Sequence, residues 1–256
     1  MSRNTPAWGQ RELADDPHAA PDKADRVRRM FSAIAPSYDL NNRLHSFWLD
    51  QRWRAAAVRL AKVQPTDRVL DVACGTGDLS RAFLDGGAAD VVGLDFTPGM
   101  LELARTKRVT AKGSTEPRIT YVEGDATALP YNDSEFDVVS MAFGLRNVTE
   151  PAQALRECYR VLKPGGRCIV LEFSTPRNPV IRWLNDLYTG QIMPISATLL
   201  SGDKSGAYRY LPRSIATFHD VDSLLSIFKQ TGLSECESRS LTFGVCCVTR
   251  GERPRA

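Results

Sequence analysis

Apolar positions along the chain change period twice. From Asp25 they recur at helical spacing, with Val27, Met30, Phe31 and Ile34 on one face, and Pro36 closes that predicted helix. A second helix is predicted from about Ser46 to Lys62, ended by Gln64-Pro65. Short apolar runs then alternate with helical stretches: strand 68–73, a helix from Asp78, strand Val91–Asp95, a helix from Thr97, strands Ile119–Glu123 and Asp137–Ala142, a helix from Pro151, and strand Arg167–Phe173. This alternation predicts an α/β fold with a doubly wound, mostly parallel sheet. Thr97-Pro98 reads as an N-cap followed by proline at the first helical position, and Lys163-Pro164-Gly165-Gly166 ends the helix carrying Leu155, Cys158 and Leu162.

Two stretches fall outside the alternation. Arg177–Ser205 is mixed and amphipathic, and lies where an inserted lid would sit. Leu233–Ser240 and Phe243–Thr249 read as two strands that complete the sheet antiparallel. The start of the chain, with Pro6, Pro17 and Pro21 among polar residues, predicts a disordered tail. The expected layout is a tail (1–24) and one domain (25–256), divided into a helical cap (25–66), a ligand-binding core (67–175), a lid (176–218) and a C-terminal helix with strands (219–256).

Composition narrows the chemistry. A formal charge of +3 is too small for a nucleic-acid footprint. The six cysteines show no CxxC spacing and the three histidines no ligand spacing, so no metal site is expected. Free thiols, and the lack of any run near the roughly 18 apolar residues that span a bilayer, predict a cytoplasmic protein.

The first strand runs into a glycine turn, Asp71-Val72-Ala73-Cys74-Gly75-Thr76-Gly77-Asp78, with acid on both sides. Such turns let backbone approach a ligand closely, and in dinucleotide folds the ligand part is a pyrophosphate. Asp71 and Asp78 would repel a diphosphate but suit an ammonium and a sulfonium, the charges of S-adenosylmethionine. Ser80 also stands where the dinucleotide fingerprint needs its third glycine, which places NAD second. Ligands of open α/β sheets bind beyond the carboxyl ends of the strands, where Asp71, Asp95 and Asp125 follow in series. Asp95 can take ribose hydroxyls. Asp125 can accept from an adenine amine beside the Ala126 amide. Each of these acids alone reads equally well as a loop or capping residue.

Past the fourth strand, Phe143-Gly144-Leu145-Arg146-Asn147-Val148 puts two polar side chains at the mouth of the sheet. Arg146 can pair with a carboxylate or a developing phenolate, and Asn147 can orient a hydroxyl or a water; a structural salt bridge and a turn asparagine are the plainer alternative. Ala35-Pro36-Ser37-Tyr38-Asp39 forms a loop able to fold over the donor, although Tyr38 reads equally as a packing aromatic.

These blocks, with Arg160-Val161-Leu162-Lys163-Pro164-Gly165-Gly166, Leu171-Glu172-Phe173-Ser174, Tyr208-Arg209-Tyr210-Leu211-Pro212-Arg213-Ser214-Ile215 and Leu241-Thr242-Phe243-Gly244, closely resemble the quinone C-methyltransferases of menaquinone and ubiquinone biosynthesis, from about Arg26 onward. The resemblance implies a class I methyltransferase fold, Rossmann-like, that methylates demethylmenaquinol or a methoxy-polyprenyl-benzoquinol. It carries donor contacts to Thr76, Asp95, Asp125 and Ala126, beside the turn residues Asp71, Gly75 and Gly77. Three positions depart from the pattern: Ala142 replaces a common serine, leaving Ser140 as a candidate substitute, Trp48 a usual glycine, and Asp50 a frequent histidine.

The implied chemistry is attack of a phenolate-activated ring carbon on the sulfonium methyl. Arg146 is expected to stabilise the oxyanion and Asn147 to orient it, with Tyr38 and Asp39 closing over the donor; His45, His219, Asp39 and a water on Arg146 are candidate bases. A substrate with an isoprenoid tail implies transient contact with the inner face of the cytoplasmic membrane, through Arg177–Leu200. A homodimer or a complex of quinone-pathway enzymes is a further expectation. The rivals are a small-molecule O- or N-methyltransferase and a degenerate scaffold.

Overall fold

A computed structural model describes residues 6–14, 16–107 and 118–255. Its helices are α1 (Gln10–Ala14), α2 (Lys23–Ile34), α3 (Tyr38–His45), α4 (Leu49–Ala61), α5 (Asp78–Asp85), α6 (Pro98–Thr106), α7 (Pro151–Val161), α8 (Pro179–Leu187), α9 (Met193–Ser201), α10 (Ala207–Ala216) and α11 (Val221–Gln230). Its strands are β1 (Arg68–Val72), β2 (Asp90–Asp95), β3 (Ile119–Glu123), β4 (Phe136–Ala142), β5 (Leu162–Phe173), β6 (Ser234–Leu241) and β7 (Cys246–Glu252). They form one sheet in the order β3-β2-β1-β4-β5-β7-β6. β1 to β5 are parallel, and β7 runs antiparallel to both its neighbours.

Alternation along the buried strands sends side chains to two cores. Leu70, Val72, Val139 and Val170 meet Leu155 of α7 and Phe228 of α11 on one face. On the other, Val69, Val138 and Ile169 meet Trp53 and Ala57 of α4 and Phe83 of α5. Burial on both faces explains why these strands read as continuous apolar runs.

The expected free tail is corrected over its described residues, 6–14 and 16–24; residues 1–5 and 15 lie outside them. Trp8 is completely buried and stacks on Tyr210 of α10, with ring centroids 4.5 Å apart. Its amide donates to the Ser205 carbonyl at 3.0 Å. Gly206, at φ +87°, makes room for this: a Cβ there would lie 2.2 Å from the Trp8 carbonyl oxygen. One indole outweighs the polar composition because its apolar area has a groove to fill. Trp8, α2 and α10 thereby build a third core of Val27, Met30, Ile34 and Tyr210.

The predicted helix from Ser46 begins at Leu49 as α4, and the loop expected at Ala35–Asp39 runs instead through a short 3-10 turn, Ala35–Ser37, into α3. α3 ends at His45, and Phe47 and Trp48 take left-handed backbone, at φ +53° and +59°, before α4 starts. The glycine position of the resembled family thus carries a tryptophan in a glycine-type conformation.

Candidate active site

The carboxyl ends of β1, β2, β3 and β4 open on a cavity of about 150 Å³ whose walls include Tyr38, Gly75, Asp95, Met100, Asp125, Ala126, Phe143 and Asn147. Asp95 stands at its centre. Its carboxylate accepts from the Gly75 amide and the Thr97 amide, each at 2.8 Å. Burial raises its pKa, and those amides pull it back. Thr97 occupies the N-cap position of α6, but its hydroxyl makes no capping bond and is buried without a partner among the described residues. Gly75, at φ +55°, is open toward the cavity, with nothing within 4 Å of a Cβ added there. A ligand can lie directly on this backbone. Gly77 does not line the cavity: at φ +78° it caps α5 against the Tyr121 ring. Asp125 is exposed on the rim and accepts from the Thr127 amide at 2.8 Å, while Ala126 is buried beside it.

Asp71 and Asp78 lie elsewhere. They line a narrow crevice beneath the turn, which shares Tyr38, Ala73, Gly75 and Ala142 with the larger cavity. Asp71 is fully buried, and desolvation pushes its pKa up to about 6 against hydrogen bonds from Ser80 Oγ at 2.6 Å and Ser140 Oγ at 3.0 Å. Asp71 and Ser140 are register partners across β1 and β4. Ser140 therefore serves Asp71, which corrects its expected role as substitute for the serine missing at Ala142. For Asp78, desolvation raises the pKa, but Arg54, Lys107, Arg81 and Arg43 together hold it below the usual range.

Thr76 and Asp39 meet each other. Thr76 Oγ1 donates to Asp39 Oδ1 at 2.6 Å, and Lys107 pairs with Asp39 Oδ2, so this clasp ties α3 to the glycine turn. Neither side chain lines the larger cavity.

A second cavity, about 260 Å³, lies between the added helices and the sheet. Its walls are mainly apolar: Met30, Ile34, Trp53, Phe173, Met193 and Tyr210 are among them. It meets the first cavity at Phe31, Tyr38 and Phe143, which line both. Burial raises the pKa of the Tyr38 phenol. Arg146 lines the second cavity and Asn147 the first. Arg146 is buried; its Nη1 donates to Glu172 Oε1 at 2.6 Å and to the Phe143 carbonyl at 2.7 Å, and the guanidinium lies 5.3 Å from the Phe173 ring centroid. Its Nε is buried without a partner among the described residues. Asn147 donates to the Phe143 carbonyl at 3.0 Å and accepts from the Tyr210 hydroxyl at 3.0 Å. Both the ion pair and the cavity position weighed for Arg146 are thus present together.

Of the histidines, His219 is exposed and lines neither cavity. His45 lines the second, with Nδ1 2.9 Å from the Asn41 carbonyl oxygen and Nε2 2.9 Å from Ser196 Oγ. A carbonyl partner fixes the proton of the neutral ring on Nδ1 and leaves Nε2 as acceptor.

Several residues of the site escaped the sequence. Lys23 Nζ is buried and donates to the Arg146 carbonyl at 2.9 Å and the Val148 carbonyl at 2.6 Å, supporting the polar loop from the cap. Glu172 stood in a recognised motif but had no partner assigned. Tyr188–Ile192 forms a π-helical turn between α8 and α9, and its Tyr188 hydroxyl donates to the His45 carbonyl at 3.0 Å. Nothing in the linear pattern marks these pairings, because each joins segments distant in sequence.

Comparison with known proteins agrees with this architecture. A demethylmenaquinone methyltransferase of Thermus thermophilus is 45% identical over 226 residues, 88% of this chain and 100% of that protein. The ubiquinone/menaquinone biosynthesis C-methyltransferase UbiE of Geobacter sulfurreducens is 41% identical over 234 residues, 91% of this chain and 90% of that protein. Among solved structures, an S-adenosylmethionine-dependent methyltransferase of Thermotoga maritima superposes with a TM-score of 0.63 at 20% identity, covering 89% of this chain and 99% of that one. The fold is therefore that of class I methyltransferases. With residues 20–253 matching its sequence profile, the chain belongs to the ubiE/COQ5 methyltransferase family.

Proposed function

We propose that this enzyme transfers a methyl group from S-adenosylmethionine to a ring carbon of demethylmenaquinol, giving menaquinol and S-adenosylhomocysteine. The observation that carries the reading is the junction of two unlike cavities. One, with the Asp95 carboxylate and open Gly75 backbone, fits a nucleoside donor; the other, larger and apolar, fits a fused aromatic diol with a hydrocarbon tail. They meet at Phe31, Tyr38 and Phe143, so donor and acceptor share one short boundary. The names of the relatives supply the quinone. Because some of them are named for both pathways, a 2-methoxy-6-polyprenyl-1,4-benzoquinol is the second reading.

When bound, S-adenosylmethionine supplies an electrophilic methyl on a cationic sulfur. Asp95 takes the ribose, with Gly75, Gly77 and Thr76 shaping the turn, Asp71 and Asp78 below it, and Asp125 and Ala126 at the base. Tyr38 covers the donor, while Asp39, expected to do the same, instead ties α3 to the glycine turn through Thr76 and Lys107. The acceptor would pass a phenolic proton to a water held by Arg146, and its ortho ring carbon would take the methyl as the carbon–sulfur bond breaks, leaving neutral S-adenosylhomocysteine. Arg146, held by Glu172, stabilises the phenolate and Asn147 orients it. The ring carbon would then lose its own proton to water while the oxygen regains one, restoring the aromatic diol.

An apolar rim supports contact with a lipid surface. Phe47, Trp48, Trp183, Ile195 and Leu199 are all more than half exposed, and Phe47 also lines the acceptor cavity. Within Arg177–Leu200, Trp183 faces outward, whereas Met193 is buried and Tyr188 bonds to α3. Among the described residues no helix is long and apolar enough to cross a membrane, so the rim would rest on the surface.

Labelled donor, incubated with reduced demethylmenaquinone, reduced polyprenyl benzoquinone and small catechols and amines, tests the reading. Label is expected on a ring carbon of the naphthalenediol, and not on the oxidised quinone. Label on oxygen or nitrogen of the small molecules would overturn it.

A further inference from the structure

The acceptor cavity holds a second buried ion pair, and it differs from the first in which member faces the cavity. Asp50 and Arg54, one turn apart on α4, are 3% and 6% exposed and 2.8 Å apart, and both line the cavity. Glu172, by contrast, does not line it; only its partner Arg146 does. The Arg54 guanidinium lies 5.5 Å from the Phe143 ring centroid, the Phe143 and Phe173 centroids are 4.6 Å apart, and the Arg146 guanidinium lies 5.3 Å from the Phe173 centroid. The two pairs thus each meet one ring of the same aromatic pair.

Their hydrogen-bonding capacities are opposite. Arg146 offers only donors. A carboxylate is acceptor-only and has about four lone-pair positions. On Asp50, Oδ2 accepts from Arg54 Nη1 at 2.8 Å and Gln51 Nε2 at 2.9 Å, while among the described residues Oδ1 accepts only from Ser46 Oγ, at 3.0 Å. One acceptor position remains, on Oδ1.

From this, and resting on the quinol reading above, we infer that Asp50 is the residue that makes the cavity specific for the reduced diol: its free acceptor position takes the hydrogen bond of the hydroxyl that stays protonated, while Arg146 faces the oxygen that ionises. A half-ionised 1,4-diol carries one donor and one anion, matching the two poles. The oxidised dione carries two acceptors, so one carbonyl would face the Asp50 carboxylate with no proton between them. A site built around a hydroxyl rejects the analogue lacking it, since its own polar group is left unpaired.

Equilibrium binding of a short-chain prenyl-1,4-naphthalenediol and of its dione, each measured with S-adenosylhomocysteine present, tests this on wild type and Asp50→Asn. The variant should bind the diol roughly tenfold more weakly and the dione at least as well as before, because an amide can donate to a carbonyl. In turnover the loss should sit in KM rather than kcat, as the bond exists in both ground and transition states. S-adenosylhomocysteine affinity should not change. A diol-to-dione preference equal to that of wild type, or parallel loss of all three affinities, overturns the inference. Should Asp50→Asn fail to fold, wild type alone decides: methylating the hydroxyl that is not ortho to the reacting carbon should lower kcat/KM by at least about tenfold, and an unchanged value overturns the inference. If wild type binds neither diol nor dione, the quinol reading itself has failed, and this inference with it.

Discussion

The two cavities are built from different materials. The polar part of the donor cavity comes from strand ends and the tight turns after them, where the parallel sheet sets the positions of Gly75, Asp95, Asp125 and Ala126. The acceptor cavity is made of side chains on α2, α3, α4 and α10 and on the turn between α8 and α9, elements added around the sheet. A sheet with helices on both faces resists deformation, whereas helices packed on one another can shift by small steps. On the proposed function, the polar contacts to the donor therefore rest on the rigid part of the molecule. Acceptor shape and charge rest on the part that can be re-tuned without disturbing it.

The largest expected effect tests whether the two sides are functionally separable. Arg146→Lys keeps a cation opposite Glu172 but loses the planar fork, and should lower the single-turnover rate by about 10²-fold while donor affinity stays near wild type. A rate loss no larger than the binding loss would assign Arg146 to structure alone. Alanine is the poorer choice here, because it strands a buried Glu172 carboxylate. Next, Asp95→Ala should weaken S-adenosylmethionine binding by roughly 1.5–3 kcal/mol in calorimetry, with acceptor binding retained. Unchanged donor affinity would remove Asp95 from the ribose. Third, Trp183→Ser combined with Leu199→Ser should reduce liposome association by roughly tenfold in flotation, leaving turnover of a short-chain quinol intact. Equal flotation of variant and wild type would discard the rim as a lipid contact.

The smallest effect concerns Asp71. Its folded pKa of about 6 lies above that of an unfolded aspartate, so its contribution to stability is greatest when protonated and declines as pH rises through 6. Asp71→Asn removes that dependence. Relative to wild type, the variant should gain about 1 kcal/mol between pH 5 and pH 8 in denaturant titrations. A gap that is constant with pH would show that Asp71 stays ionised throughout.

Legibility followed the same division. The parallel strands, the glycine turn and the acids at strand ends are local patterns, and β1 with its turn could be read from ten consecutive residues. The N-terminal segment was misread because Trp8 is a single apolar residue in polar surroundings, and the surface that buries it belongs to α10. The clasp of Asp39, Thr76 and Lys107, and the support of the Arg146 carbonyl by Lys23, join side chains far apart in sequence. The left-handed backbone between α3 and α4 was hidden for another reason: at Phe47 and Trp48 it contradicts their propensities, and surrounding packing overrides them. Family resemblance flagged the position without revealing its conformation.

The stack of Trp8 on Tyr210 has a consequence for the order in which this molecule forms. The partners of Trp8 come from the last quarter of the chain, so the third core closes only after almost the whole polypeptide has been made. Closing so long a loop is entropically late, while β1, β2 and β4 can pair from nearer neighbours. The Tyr210 hydroxyl in turn holds Asn147. The boundary between the two cavities, where Asn147 lines one and Arg146 the other, is thus completed only when this long-range contact closes.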